Sequence, residues 1–289
     1  LLRYQQENPW DREARLIFTD YLREQELEEI AECVSRSLEL SDAVLLPDGS
    51  QYVYDGWVRT PEFEIAQGVR MAFCWIPAGK ATLGSPASEE QRRDDEDEHE
   101  YETEGFWLGK YAVTQEQWEA VMGNNPSHFK GANLPVETVR WDDCQKLIKK
   151  CAVSGFKVKL PHEDEWEYAC RGGKGNKRAF YWGNSLNGDK ANCQGTYPYG
   201  TEASGTYVGK TTEVGSYEKL APHPWGLCDM HGNVWEWCDN LYTSSEKWRV
   251  LRGGSWIDFS NYCRAVLRND GSPVFRDQDV GFRVCLALD

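Results

Sequence analysis

The chain lacks several features that would have made its role easy to place. No run of about 18 apolar residues occurs, so no helical membrane span is expected. Ten cysteines over 289 residues are too few for a disulfide scaffold, and none forms a C-x-x-C pair. Reduced, buried thiols in a cytoplasmic protein are the expectation. Basic residues are scarce, 32 against 47 acidic ones, for a formal charge of -15. That balance argues against nucleic acid or an anionic membrane as partner, since both reward basic patches. The five histidines, at 99, 128, 162, 223 and 231, do not cluster, and no Ser-His-Asp or Cys-His pattern is legible. HEDEWE (162–167) has Trp166 where a metalloprotease needs its second histidine. GKGNK (173–177) lacks the spacing and the Ser/Thr of a phosphate-binding loop. No internal repeat is found.

Tryptophan is abundant, with 13 copies. Indoles can supply core area where regular elements are few. Residues 8–24 place Trp10, Ala14, Ile17, Phe18 and Tyr21 on one helical face, and 26–40 repeat the pattern with Leu27, Ile30, Ala31, Val34 and Leu38. Residues 1–45 therefore read as a helical N-terminal segment, a possible docking element for a partner protein. Residues 46–69 read as a linker or hairpin around Pro47-Asp48-Gly49, and 70–289 as the main domain.

In that domain MAFCWIPAGKATLGS (71–85) reads as strand, turn and strand. The charged run 89–104 reads as a solvated loop. A helix is expected over 113–123, with a Thr114/Gln117 capping box and Gly123 as its stop. A second begins at Asp142 or Asp143 and turns Cys144, Leu147, Ile148 and Cys151 inward; a third precedes Gly172. Beyond 174 helix signals vanish, leaving short apolar runs at 213–216, 233–237, 249–252 and 280–286. The class is α+β and loop-rich.

GLCDMHGNVWEWC (226–238) offers carboxylates at Asp229 and Glu236 and carbonyls at Gly232 and Val234, a hard-oxygen set suited to calcium. Trp235 and Trp237 as core plugs, with Glu236 on backbone amides, explain the same residues equally well.

Six stretches occur in one order: WIPAG…LGS (75–85), GFWLGKYAVTQEQWEAVMGNNPS (105–127), LPVETVRWDDC (134–144), LPHEDEWEYACRGG (160–173), GLCDMHGNVWEWC and RGGSW…GFRV (252–284). Together they resemble the formylglycine-generating-enzyme, or sulfatase-modifying-factor, family over roughly residues 70–287. The resemblance implies a C-type-lectin-like fold. It places a structural calcium motif on Asp229, Gly232, Val234 and Glu236. A second calcium site would include Asn192 and Cys193, without a clear acidic ligand. ENPWDREARLIFTDYLREQ (7–25) also resembles a short helical segment of planctomycete proteins.

Catalytic members of that family oxidise a protein cysteine, using copper held by thiols three and eight residues after the serine of GGS. Here Ser255 is that serine, Cys263 lies eight onward, and Asp258 stands three onward. Monovalent copper wants soft thiolates, and one sulfur with one carboxylate does not make that site. Copper is therefore not expected. Cys263, Ser255 and Trp235 would be the catalytic set only if the chain were an oxidase or related oxygenase.

The same frame resembles variable proteins of diversity-generating retroelements. The fixed positions are Arg252, Gly253, Gly254, Ser255, Trp256, Cys263, Arg264, Arg268, Pro273, Arg276, Gly281, Phe282 and Arg283. Between them lie Ile257, Asp258, Phe259, Asn261, Tyr262, Leu267, Asn269, Asp270, Gly271, Val274, Phe275, Asp277, Gln278 and Asp279. All but Gln278 can be reached from an AAY codon by changing adenines. Rigid aromatics among Asp and Asn are also the composition of a paratope. The expectation is a non-catalytic protein that binds a protein or peptide ligand through residues 257–279.

Overall fold

The computed structural model describes residues 43–45, 51–53, 61–153, 155–172, 176–244 and 247–288. The helices expected over 1–42 lie outside the described residues. The chain divides into two compact units, Leu1–Pro61 and Glu62–Asp289. In the first, β1 (Ala43–Leu45) pairs antiparallel with β2 (Gln51–Val53), flanking the Pro47-Asp48-Gly49 turn signal.

The second unit begins at residue 62, where β3 (Glu62–Ala66) forms a ladder with β4 (Val69–Ile76). These two open a five-stranded sheet ordered β3-β4-β7-β13-β8, with β7 at Phe106–Gly109, β13 at Cys285–Leu288 and β8 at Phe156–Lys159. The last strand of the chain thus pairs between two early ones, Cys285 facing Leu108 on one side and Lys159 on the other. A two-stranded ribbon joins β5 (Gly79–Leu83) to β6 (His99–Thr103). A four-stranded sheet is ordered β11-β10-β9-β12, from Arg268–Gly271, Arg249–Arg252, Trp235–Leu241 and Val280–Gly281.

Three α-helices lie among the described residues, and the first and third start and stop where capping chemistry places them. For α1 (Gln115–Met122), the Thr114 hydroxyl accepts from the Gln117 amide and the Gln117 side chain accepts from the Thr114 amide. The Gly123 amide then closes the last turn on the Glu119 carbonyl at 2.8 Å. Helix α2 (Trp141–Ile148) buries Cys144, Leu147 and Ile148, while Cys151 falls beyond its end, half-buried. Helix α3 (Glu163–Arg171) is capped by His162, whose Nδ1 accepts from the Asp164 amide while Glu165 accepts from the His162 amide. The HEDEWE histidine is therefore a helix cap.

Trp166, Tyr168, Ala169 and Cys170 of α3 pack with Ile76 and Leu108 of one sheet and Cys238 and Val250 of the other. This apolar cluster is the hinge of the core, because a short amphipathic helix can bury area against both sheets.

The charged run 89–104 corrects the solvated-loop expectation. Glu96 is buried, and its carboxylate accepts from Arg264 Nη2 at 2.7 Å and Nη1 at 3.0 Å. Glu89 accepts from the same guanidinium at 2.6 Å, and Asp95 accepts from the Tyr242 hydroxyl at 2.5 Å. Alternation was hidden because the inward-facing residues are themselves carboxylates, kept inside by a buried arginine.

Candidate functional site

The arginines of the 252–283 frame explain why that segment can be long, irregular and still well fixed. Arg252, Arg264 and Arg283 are fully buried. Arg252 donates to Glu167 at 2.6 Å and to the Ala265 and Leu267 carbonyls. Burial alone would raise the Glu167 carboxyl, but Arg171, Arg252 and the Gly84 amide hold it down at about 2. Arg264 closes on Glu96 and Glu89, and Arg268 donates twice to Glu163, at 2.6 and 2.8 Å. Arg283 makes a two-point pair with Glu236, at 2.6 and 2.7 Å, and also serves the Gly109, Lys110 and Cys228 carbonyls. Each planar fork ties the C-terminal segment to a distant part of the chain.

Between these ties, the residues expected to bind divide. Ile257, Phe259, Val274 and Phe275 are exposed large apolar side chains, and Asp277 is exposed beside them. Asp258, Asn261, Tyr262, Asn269, Asp270, Gln278 and Asp279 are half-buried. Two of the set are turned away from solvent, which corrects their expected display: Leu267 is buried in the core, and Gly271 is buried where a Cβ would lie 2.7 Å from the Trp237 ring. The absence of a side chain at Gly271 lets the end of β11 lie against the Trp237 ring.

A second segment completes the face. The Gln194 amide donates to the Asp258 carbonyl at 2.7 Å and the Ser260 amide to the Tyr197 carbonyl at 3.2 Å. This ladder stacks the exposed Tyr197 ring on Phe259, with centroids 4.0 Å apart. Tyr207 lies parallel to Trp256, and Arg93 sits over the Tyr262 ring at 5.1 Å. Tyr197, Tyr207 and Arg93 were missed. TYPYGTEASGTY (196–207) has the Tyr, Gly, Ser and Thr composition of a paratope loop, which could have pointed to the first two.

Beneath the face, the Ser255 hydroxyl lies 2.5 Å from Asp258 Oδ2 and 3.0 Å from Asp279 Oδ2. A hydroxyl has one proton to donate, so the second contact is a hydrogen bond only when one carboxyl is protonated. Burial, and then Asp258, push the Asp279 carboxyl up to about 6; burial also raises Asp258, against hydrogen bonds from Ser255 and Trp235.

Ser255, Trp235 and Cys263 are all buried. The Cys263 thiol is enclosed by Gly254, where a Cβ would come within 2.7 Å of its sulfur and φ is +74°. Its neighbour is Cys193, packed with it in one buried apolar cluster. The family's copper pair at positions 258 and 263 does not fit: Asp258 is a carboxylate held by a hydroxyl and an indole, so of these two positions Cys263 alone offers a soft donor, and the thiol beside it, Cys193, comes from a separate segment.

The calcium set fits no better. Both Glu236 oxygens face Arg283, and Oε2 also accepts from the Trp166 indole at 2.7 Å. The carboxylate charge is thus met by a cation the chain itself supplies. Asp229 Oδ2 accepts from the Gly215 amide at 2.6 Å, and its burial pushes that carboxyl up to about 6. The Gly232 carbonyl accepts from the Val234 amide. Among the described residues, no three His, Cys, Asp or Glu side chains cluster to hold a metal ion. Glu236 instead anchors the end of the chain to β9.

The chain is 33% identical over 187 residues to the inactive C-alpha-formylglycine-generating enzyme 2 of Bos taurus, covering 62% of this chain and 58% of that one. It is 33% identical over 199 residues to the formylglycine-generating enzyme of Mus musculus, covering 62% and 50%. It therefore spans little more than half the length of these relatives. Among solved structures, Treponema denticola variable protein 1 superposes with a TM-score of 0.64 at 26% identity, covering 78% of this chain and 98% of that one. PvdO from Pseudomonas aeruginosa shares the fold at a TM-score of 0.63 and 23% identity, covering 79% and 98%. The mixed sheets, few helices and long loops are the C-type-lectin-like arrangement that the motif order implied. Residues 63–288 match the sulfatase-modifying factor enzyme 1-like domain, and the chain belongs to that family.

Proposed function

We propose that this chain is a non-catalytic ligand-binding member of its family, taking a protein or peptide on the face built from residues 257–262, 274–279, Tyr197 and Tyr207. The observation that carries the reading is the division within 252–283. Arg252, Arg264 and Arg283 of the frame are buried and paired, while Ile257, Phe259, Val274 and Phe275 stand exposed between them. Exposed apolar and aromatic groups on a rigid base lose little freedom on binding, and clusters of this kind carry most of an interface's energy. The carboxylate at 258, where a copper site of the family's kind needs sulfur, supports a binding role over thiol oxidation. The likeness to a protein called a variable protein supports display of changeable side chains at these positions.

Selection of a displayed random peptide library against the full chain tests this. Enriched peptides should lose at least about tenfold in affinity to the Phe259→Ala and Tyr197→Ala variants. Retained affinity in both would move the binding site elsewhere. Incubation with copper and a peptide carrying a sulfatase-type cysteine motif tests the oxidase alternative; aldehyde formation lost in Cys263→Ala would overturn the proposal. A near-copy of the 252–283 codons, differing only at adenines and lying beside a reverse-transcriptase gene, would add retroelement diversification to the reading.

A further inference from the structure

Cys193 and Cys263 are 70 positions apart in sequence, yet they pack in one buried cluster, where their thiols interact. Three contacts hold them there. The Gln194 amide donates to the Asp258 carbonyl at 2.7 Å, the Ser260 amide donates to the Tyr197 carbonyl at 3.2 Å, and the Cys193 sulfur lies 3.4 Å from the Ser260 hydroxyl. Both sulfurs sit in one apolar cluster with Ala179, Phe180, Leu186 and Tyr199. We propose that Cys193 and Cys263 form an oxidation site, closing into a disulfide when the protein meets a hydroperoxide.

The pair divides the labour of that chemistry. Hydrogen bonds from Cys263 and Ser260 draw the Cys193 thiol below its usual range, against the effect of burial. The hydrogen bond to Cys193, and burial, keep Cys263 protonated. The Cys193 thiolate attacks the terminal peroxide oxygen. An S–O bond forms, the O–O bond breaks, and the departing alkoxide takes a proton to become an alcohol. The Cys263 sulfur then attacks the resulting sulfenic acid, forming the S–S bond and releasing water with the thiol proton. Two thiols lose two electrons and one hydroperoxide gains them. The product is uncharged, which suits an apolar pocket better than a thiolate.

A bond here would tie the Tyr197 loop to the Phe259 segment, the two halves of the stacked pair on the proposed face. That consequence rests on the binding reading; the oxidation itself does not.

The test uses the full chain treated with hydrogen peroxide, quenched with catalase, alkylated in denaturant and mapped without reduction. A peptide joining Cys193 to Cys263, lost on reduction, is expected. Tm should rise by about 5 °C and fall back with dithiothreitol. Cys193→Ser should abolish the link and the Tm shift, while Cys151→Ser should leave both. Should Cys193→Ser fail to fold, the wild-type map decides alone. Alkylation of both thiols after peroxide, sulfinic acid at either one without a link, or a link to another cysteine would overturn the proposal. Selected peptides that bind both forms equally would remove the consequence for the face and leave the oxidation site standing. Failure of any peptide to depend on Phe259 or Tyr197 would remove the binding reading alone.

Discussion

One stretch of backbone, residues 252–283, carries two populations of side chains with opposite fates. Arg252, Arg264 and Arg283 are among the largest fully buried side chains among the described residues, each clasped by carboxylates from far along the chain. Ile257, Phe259, Val274 and Phe275 are apolar and yet exposed. This inverts the usual distribution, in which charge faces water and large apolar groups are covered. The inversion separates the two jobs of the segment. Charged forks with several donors fix irregular backbone in place without a regular ladder, and that leaves Ile257, Phe259, Val274 and Phe275 free of the packing that buries Leu267 and Gly271. A surface whose stability does not depend on its own residues can vary them at little cost to the fold.

The sharpest way to break this comparison is to remove a frame arginine. Arg264→Ala strands Glu96 and Glu89 in the interior and should cost about 3–5 kcal/mol, read as a lowered urea midpoint or loss of soluble protein. A loss below about 1 kcal/mol would mean the frame does not hold the segment. Gly254→Ala should come next, at about 2 kcal/mol, since the new methyl meets the Cys263 sulfur at 2.7 Å on backbone with φ of +74°.

Smaller and sharper is the carboxyl pair beneath the face. The folded value of Asp279, about 6, lies above its ordinary 3.8, so the native state keeps a proton that the unfolded chain has released. Its contribution to stability is therefore intact below about pH 4 and is lost as pH rises through 6. Asp279→Asn should stabilise the protein by about 1 kcal/mol at pH 7 and leave it nearly unchanged at pH 4, measured by urea unfolding at both. An equal change at the two pH values would show that the pair does not titrate as described. Smallest of all, Phe275→Ser should shift unfolding by no more than about 0.5 kcal/mol, because the ring is exposed and clasped by none of the buried forks. A loss of several kcal/mol there would make the exposed set part of the scaffold and dissolve the contrast.

Much of the scaffold was legible because it is written locally. The Thr114/Gln117 capping box, the Gly123 and Gly172 stops and the order of the motifs each need only a few neighbouring residues to be recognised. Ile257, Phe259, Val274 and Phe275, expected on display in a stretch without periodicity between fixed landmarks, are exposed. The differences have two causes. Glu89 and Glu96 read as solvated because nothing nearby in sequence could neutralise them, and their partner Arg264 lies far along the chain. The partner of Glu236, Arg283, is equally remote from it in sequence. Leu267 and Gly271 read as part of the face because spacing between landmarks does not report which way a residue turns.

The sequence alone determined the fold family, the helix boundaries to within a few residues and the oxygen donor at 258, since propensity, capping and residue identity are local properties. Only the tertiary structure decided which carboxylates each arginine neutralises, that Tyr197 stacks on Phe259, and that Cys193 lies against Cys263. Those pairings join segments tens of residues apart, and their energy exists only once the chain has closed and water has left the space between them.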